Sequence, residues 1–270
     1  MTTLPIRGAD LAFHDEGDGF EVVVLGHGYL MTSRMWEHAA AALVGAGYRV
    51  VRPEWRGQGR SEVTADGYDP WALADDLLAT LDALEVERFH YVGHSMGGYV
   101  GYRLALRAPD RVQSLLQIGT TSQAEKGAAL RQYNVLLWVF RLFGVGAVYR
   151  RILPILYGPA YVADPARAGL RAEHRSWIAS NARAGVYRAG RGIFGRDDVS
   201  GRLSEIEVPT LVATGTHDAP HPPEQGRTDA ERMPNAEFRA LEVGHTPPLE
   251  APDATTALVL EWLARHRSDA

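Results

Sequence analysis

Apolar-centred runs alternate with amphipathic stretches along the first third of the chain. The runs predicted to be buried strands are 22–25, 49–52, 89–92 and 114–118. The helices predicted from the intervening periodicity are 33–46, 70–84 and a third that ends near residue 108. Strands that alternate with helices indicate a parallel sheet with right-handed crossovers.

The alternation stops after the fourth strand. Residues 122–205 have helical periodicity and almost no strand signal, and the strand pattern then resumes at 210–214 and 237–241. We therefore predict one core domain, made of residues 1–121 and 206–270, with residues 122–205 inserted as a helical lid. An insertion at the carboxyl side of such a sheet lies above the place where open α/β sheets bind ligands.

Composition narrows the classes of function. The 270 residues carry a net charge of −5, which provides no basic surface for nucleic acid. The absence of cysteine excludes disulfide scaffolds, thiolate metal sites and a cysteine nucleophile. Residues 1–7 lack a basic region followed by an apolar run, and no apolar run reaches about 18 residues. We expect no signal peptide, no membrane partner and a cytoplasmic location.

One short motif lies between a predicted strand and a predicted helix. Its residues are Gly93-His94-Ser95-Met96-Gly97. A serine in such a strand–turn–helix context occupies a strained turn that projects its hydroxyl out of the sheet. The start of the helix directs backbone N–H groups toward the same point. We therefore predict that Ser95 is a nucleophile; the alternative is a small-residue turn that only packs helix against strand.

Further motifs accompany this turn along nearly the whole chain. In order they are Gly26-His27-Gly28, Arg56-Gly57-Gln58-Gly59-Arg60-Ser61, the Ser95 turn, and Gly215-Thr216-His217-Asp218 with Gly244-His245. The ordered set resembles the α/β-hydrolase superfamily, and within it the small cofactor-free esterases, lactonases and enol-lactone hydrolases. The resemblance implies an α/β fold with a mostly parallel, doubly wound sheet and an inserted lid. It implies no cofactor and no metal.

A serine hydroxyl needs a neighbouring imidazole to take its proton, and a carboxylate to orient that imidazole. In this fold the order along the chain is serine, acid, histidine. Asp218 follows the strand at 210–214 and His245 follows the strand at 237–241. Both should emerge at the same sheet edge as Ser95, and the resemblance implies the same two roles.

Other histidines and another acid position compete for these roles. His94 should pack under the turn, and His27 should brace the loop after the first predicted strand. His217 and His221 flank Asp218, and either could line a pocket. Some relatives place the acid after the fourth strand, where this chain has Gly119-Thr120-Thr121-Ser122 and no carboxylate. That absence favours Asp218.

The oxyanion of an acyl-transfer intermediate needs hydrogen-bond donors. We expect the backbone N–H groups of Met96 and Tyr29 to supply them, and the Tyr29 ring can line the pocket as well. The segment that starts at Arg56 is interpreted as structural, and Glu54 stands where relatives usually have an aspartate.

The leading functional hypothesis is hydrolysis of a carboxylic ester or lactone of a hydrophobic small molecule. The same triad could support perhydrolysis, acyl transfer or carbon–carbon bond hydrolysis, and a ligand receptor on this fold is a third hypothesis. Aromatic residues of the lid are expected to build its own core more often than to contact substrate. The natural substrate and a homo-oligomeric state stay open.

Overall fold

An eight-stranded sheet forms the centre of the molecule in a computed structural model, which describes residues 1–267. The strands are β1 (Thr2–Ile6), β2 (Ala9–Glu16), β3 (Val22–Gly26), β4 (Arg49–Pro53), β5 (Phe89–His94), β6 (Val112–Ile118), β7 (Thr210–Gly215) and β8 (Ala236–Leu241). Their order across the sheet is β1-β2-β4-β3-β5-β6-β7-β8. The strands from β4 to β8 in this order pair in parallel, whereas β1–β2 and β2–β4 are antiparallel.

The antiparallel edge is the part of the sheet that the hydrophobic pattern did not predict. β1 and β2 form a hairpin whose two-residue turn consists of Arg7 and Gly8, both with positive φ (48° and 77°). Such a turn suits the twist of a hairpin. Three of the five residues of β1 are exposed, so a buried apolar run is missing there. Because β1 lies at the edge of the sheet and is largely exposed, the hydrophobic pattern does not predict it.

Eleven α-helices surround or cover the sheet within the described residues. They are α1 (Glu37–Gly45), α2 (Pro70–Ala83), α3 (Met96–Arg107), α4 (Gly127–Phe143), α5 (Val145–Leu156), α6 (Pro159–Ala163), α7 (Ala168–Ser180), α8 (Arg183–Phe194), α9 (Pro223–Glu231), α10 (Pro247–Glu250) and α11 (Pro252–Arg265). Two apolar clusters lie on opposite faces of the sheet. This is the doubly wound arrangement that the family resemblance implied.

Local signals explain where the predicted helices begin. The Asp69 side chain accepts hydrogen bonds from two amides of the first turn of α2, and Pro70 occupies the first position of that helix. The helix predicted at 33–46 instead opens with a 3-10 turn at Ser33–Trp36, capped by the Thr32 side chain. Its α-helical part therefore begins at Glu37.

Helices α4 to α8 follow one another between β6 and β7, and we call them the lid helices. No strand interrupts them in this part of the described chain. α4 packs against α8, and both contribute to a cavity above the carboxyl ends of the strands. The domain limits at 121/122 and 205/206 stay a prediction. Within residues 1–267, no helix combines the length and apolar character needed to cross a membrane.

Candidate active site

Ser95 lies at a sharp turn between β5 and α3. Its φ of 49° is unusual for a residue with a side chain, which is the strain expected of a nucleophile turn. The turn packs so closely on β3 that a Cβ added to Gly97 would lie 2.3 Å from the carbonyl oxygen of Gly26. Glycine at position 97 is therefore required by the approach of the two backbones.

Two loops at the same sheet edge carry Asp218 and His245. The first follows β7 and the second follows β8. They touch at Gly215, where an added Cβ would lie 2.0 Å from the carbonyl oxygen of Gly244. Glycine at position 215 thus allows the two loops to approach each other.

The three predicted residues form a continuous chain of hydrogen bonds. Ser95 Oγ lies 3.0 Å from His245 Nε2, and His245 Nδ1 lies 2.9 Å from Asp218 Oδ2. Asp218 also accepts a hydrogen bond from the backbone N–H of His221 at 2.8 Å. All three side chains are buried, with residue exposures of 8% for Ser95, 6% for His245 and 4% for Asp218. This geometry allows one imidazole to take the serine proton while a carboxylate holds its other nitrogen.

The competing histidines occupy other places. His94 Nε2 donates to the carbonyl oxygen of His245 at 2.7 Å, so His94 stabilises the loop that carries His245. His27 Nδ1 donates to the carbonyl oxygen of Gly28, and Nε2 accepts from the amide of Trp55. Burial lowers the pKa of His94 to about 3 and that of His27 to about 4, so both stay neutral near pH 7.

Glu250 fixes the loop that carries His245. Its Oε2 accepts from the amides of Gly158 (2.8 Å) and Gly244 (3.0 Å), and its Oε1 accepts from the amide of Thr246 (3.0 Å). One buried carboxylate therefore ties both neighbours of His245 to the loop between α5 and α6.

The two predicted oxyanion donors belong to different segments, the start of α3 and the loop after β3. Met96 is the first residue of α3, so its amide belongs to the first turn of the helix, where N–H groups have no partner within the helix. Tyr29 lies in the loop after β3, and its Oη donates to the carbonyl oxygen of Val186 in α8 at 2.8 Å. Its ring also lines the cavity, as the alternative interpretation of Tyr29 anticipated.

The hydrogen bonds of Leu30, the residue after Tyr29, hold the loop after β3 in its conformation. Leu30 has a φ of 69°. Its amide donates to Gln58 Oε1 at 3.0 Å, and its carbonyl oxygen accepts from Asn181 Nδ2 at 3.1 Å. Gln58 belongs to the segment interpreted as structural, but its contact with this loop and the whole role of Asn181 were not predicted, because only the folded chain brings positions 58 and 181 together here.

Arg56 and Glu54 have structural surroundings. The guanidinium of Arg56 makes two 2.8 Å hydrogen bonds to Asp76 in α2. Glu54 Oε1 accepts from both the amide and the hydroxyl of Ser33, while burial raises the pKa of Glu54 from 4.5 to about 7. The folded protein thus favours the protonated form of this carboxyl group.

We expect a Glu54→Gln variant to change the pH dependence of stability. A carboxyl pKa raised on folding means that the folded state binds more protons, so wild-type stability falls as pH rises from about 4.5 to about 7. The loss is on the order of 3 kcal/mol, and the glutamine variant should lack it. Urea unfolding at several pH values measures both slopes. The exposed control Glu231→Gln should retain the wild-type slope, and equal slopes in all three proteins would contradict the prediction.

A largely apolar cavity lies between the sheet edge and the lid helices. It encloses about 760 Å³ of empty space, its open mouth included. Its apolar wall is formed mainly by Tyr133, Leu136, Leu137, Phe140, Val148, Ile152, Ile193 and Phe194. Ser95 and His245 lie at the same cavity, so a ligand held there meets the hydroxyl.

The lid aromatics lie in three environments, two of which overlap at Phe140, which is buried and also lines the cavity. Tyr133, Phe140 and Phe194 line the cavity. Tyr157, Tyr161 and Trp177 are buried, whereas Trp138 and Phe143 are exposed. The expectation that these aromatic residues build the lid core more often than they contact substrate stays a prediction, because helical periodicity does not distinguish a core face from a cavity face.

Tyr99 and His221 were not assigned as a pair from the sequence. Tyr99 lies one helical turn after Ser95, and its Oη is 2.8 Å from His221 Nε2. Both residues line the cavity, whereas His217 is half-exposed beside Glu242. Of the two histidines that flank Asp218, His221 is thus the one at this cavity. No group of three or more His, Cys, Asp or Glu residues that could hold a metal ion occurs within 1–267.

Comparison with known proteins identifies the class of protein. The profile described as alpha/beta hydrolase fold matches residues 21–143. A protein of Variovorax paradoxus with the provisional name carbamate hydrolase RutD is 35% identical over 208 residues, which are 76% of this chain and 77% of that one. The chain belongs to the α/β-hydrolase family. The predicted fold is therefore confirmed, and the protein is a hydrolase.

Two solved structures share this fold over nearly their whole length. A thermophilic esterase from Thermogutta terrifontis has a TM-score of 0.91 and 28% identity, with 99% of each chain covered. The enol-lactonase from Burkholderia xenovorans has a TM-score of 0.90 and 27% identity, with 97% of this chain and 100% of that chain covered. The resemblance to esterases and enol-lactone hydrolases stated from the motifs is confirmed at the level of structure.

Proposed function

We propose that this protein is a serine hydrolase that cleaves a carboxylic ester or lactone of an apolar small molecule. The observation that carries the proposal is the chain of hydrogen bonds from Ser95 through His245 to Asp218 at one end of an apolar cavity. The esterase and the enol-lactonase with the same fold support the choice of substrate class.

The first half of the reaction forms an acyl-serine. Ser95 Oγ attacks the substrate carbonyl carbon while His245 Nε2, 3.0 Å away, takes its proton. The new imidazolium is stabilised by Asp218, which accepts the Nδ1–H. The negative charge on the former carbonyl oxygen is held by the amides of Met96 and Tyr29. Collapse of this intermediate breaks the acyl–oxygen bond, and His245 protonates the departing alkoxide.

The second half releases the acid. His245 removes a proton from water, which attacks the acyl-serine carbonyl and passes through a second oxyanion at the same amides. The acyl–Oγ bond then breaks, and Ser95 recovers its proton from His245. For a lactone, the alcohol and acid products remain one molecule. The molecule that attacks the acyl-serine distinguishes the two classes of enzyme. In a hydrolase it is water, and in an acyltransferase it is an alcohol.

A carbamate is a second candidate substrate because of the Variovorax paradoxus relative's name. Attack by Ser95 on a carbamate carbonyl uses the same residues, although nitrogen donation into that carbonyl makes it less electrophilic than an ester. A comparison of kcat/KM for an ester and a carbamate with matched apolar groups decides between the two.

Covalent labelling tests the proposed nucleophile. We expect a fluorophosphonate probe to phosphonylate one serine and to abolish ester turnover in proportion to the labelled fraction. The nucleophilic role requires the modified peptide in a digest to contain Ser95, and heat-unfolded protein serves as the unlabelled control. Full ester turnover by enzyme labelled at Ser95, or labelling confined to another residue, would rule out this mechanism.

A further inference from the structure

Glu125 is the only carboxylate among the described residues that line the catalytic cavity. It lies in the segment between β6 and α4, and its side chain is 14% exposed. The remaining wall is mainly apolar, so a charged group there is an exception that needs a reason.

A buried arginine holds one side of this carboxylate. Arg196, with a side-chain exposure of 1%, places Nη2 at 3.3 Å from Glu125 Oε1. The same guanidinium donates to the carbonyl oxygen of Ile193 at 3.0 Å and lies 3.9 Å above the ring of Tyr99. Arg196 is thus fixed from several directions, and it fixes Glu125 in turn.

The two carboxylate oxygens of Glu125 differ in their hydrogen bonding. Among residues 1–267, no donor forms a hydrogen bond with Glu125 Oε2, although Oε1 is bound. The charge acts on cavity tyrosines: burial raises the pKa of Tyr133, and Glu125 raises it further. Glu125 Oε2 is therefore a hydrogen-bond acceptor at the wall of the cavity, and the charge of Glu125 acts on the Tyr133 hydroxyl.

A ligand with an apolar group and a ligand with a hydrogen-bond donor should differ in how strongly they bind beside Glu125. An apolar group against Oε2 removes water from a carboxylate oxygen and offers no hydrogen bond in exchange. An N–H donor replaces the water with a charge-assisted hydrogen bond, which is the stronger kind. The ion pair with Arg196 holds the acceptor in place before a ligand arrives, so little ordering remains to be done.

We propose that Glu125 forms a specificity subsite for an ammonium group on an otherwise apolar ester or lactone. This inference rests on the proposed hydrolase function and adds a substrate class to it. The ammonium would bind Oε2 while the apolar part of the substrate packs on the lid helices and the ester reaches Ser95.

Two matched substrate pairs test the subsite on either side of the ester. In the acyl pair, p-nitrophenyl 6-aminohexanoate is compared with p-nitrophenyl heptanoate; in the alcohol pair, 6-aminohexyl acetate is compared with heptyl acetate. Each pair exchanges an ammonium for a methyl group. We expect Glu125→Gln to lower the ammonium-to-methyl ratio of kcat/KM about tenfold or more in at least one pair, which corresponds to about 1.4 kcal/mol.

A matched control is available on the surface. Glu205 forms an exposed ion pair with Arg202, so Glu205→Gln removes the same charge from a glutamate–arginine pair outside the cavity. That variant should leave both ratios unchanged. Should Glu125→Gln fail to fold, inhibition of the wild type decides: hexylammonium should inhibit at least about tenfold more strongly than hexyl methyl ether. Equal inhibition overturns the subsite.

The remaining outcomes separate the subsite from the chemistry. Unchanged ratios in both pairs, with hydrolysis still dependent on Ser95, overturn the subsite and leave the hydrolase function standing. An equal loss for both members of each pair assigns Glu125 and Arg196 a structural role only, and also overturns it. If the wild type hydrolyses none of the four esters through Ser95, the proposed function fails, and this inference fails with it.

Discussion

Ser95→Ala is expected to lower kcat for ester hydrolysis by about 10⁴-fold or more. The hydroxyl is the group that bonds to the acyl carbon, and no other hydroxyl is hydrogen-bonded to His245 Nε2 among the described residues. Alanine removes one atom from a turn whose strain arises in the backbone, so the fold should persist. The measurement is kcat for a p-nitrophenyl ester, together with a thermal unfolding curve.

A surface serine provides the control for this variant. Ser176 is exposed on α7, where its hydroxyl donates to the carbonyl oxygen of Glu173. Ser176→Ala should retain wild-type turnover. Turnover by Ser95→Ala within about tenfold of the wild type would mean that another group attacks the substrate, and the proposed mechanism would be abandoned.

Asp218→Asn should have the second-largest effect, also about 10⁴-fold in kcat, with little change in structure. The asparagine Oδ1 can still accept from the amide of His221, which Asp218 binds at 2.8 Å. Its NH₂ group then faces His245 Nδ1 and can only donate. The imidazole must therefore carry its proton on Nε2, where it cannot accept the proton of Ser95.

The control for this variant is an exposed aspartate that takes no part in the hydrogen-bond chain. Asp253 is exposed beside His38, and Asp253→Asn makes the same chemical change there without reaching His245. We expect wild-type kcat for that protein and similar unfolding midpoints for both variants. An Asp218→Asn enzyme that keeps more than about a tenth of wild-type kcat would assign the acid role to another residue.

The sequence predicted the parts of this site that local chain chemistry determines. A strand, a glycine-flanked serine and a helix define the Ser95 turn within six residues, because strain, close approach and helix start are all local requirements. The positions of Asp218 and His245 followed from the strand pattern, since each comes after a strand of one parallel sheet. Their roles as catalytic residues stay a prediction for the variants above to test.

The sequence did not predict the long-range contacts of the site. Gln58 binds the backbone amide of Leu30 and Asn181 binds its carbonyl oxygen, although they lie 28 and 151 positions away along the chain. Glu125 and Arg196 meet across the lid helices, 71 positions apart. Neither pairing leaves a periodicity or a spacing signal, because each depends on how separate elements pack.

Sequence alone thus determined the class of architecture and the strained serine turn, which follow from apolar periodicity and local backbone demands, while the order of the partners of Ser95 was implied by the family resemblance. Tertiary structure decided the hairpin edge, which faces of the lid helices meet the cavity and which polar groups point into it. The physical reason is the range of the interactions: hydrophobic period and turn strain act over a few residues, whereas the wall around Ser95 is assembled from segments that only folding brings together.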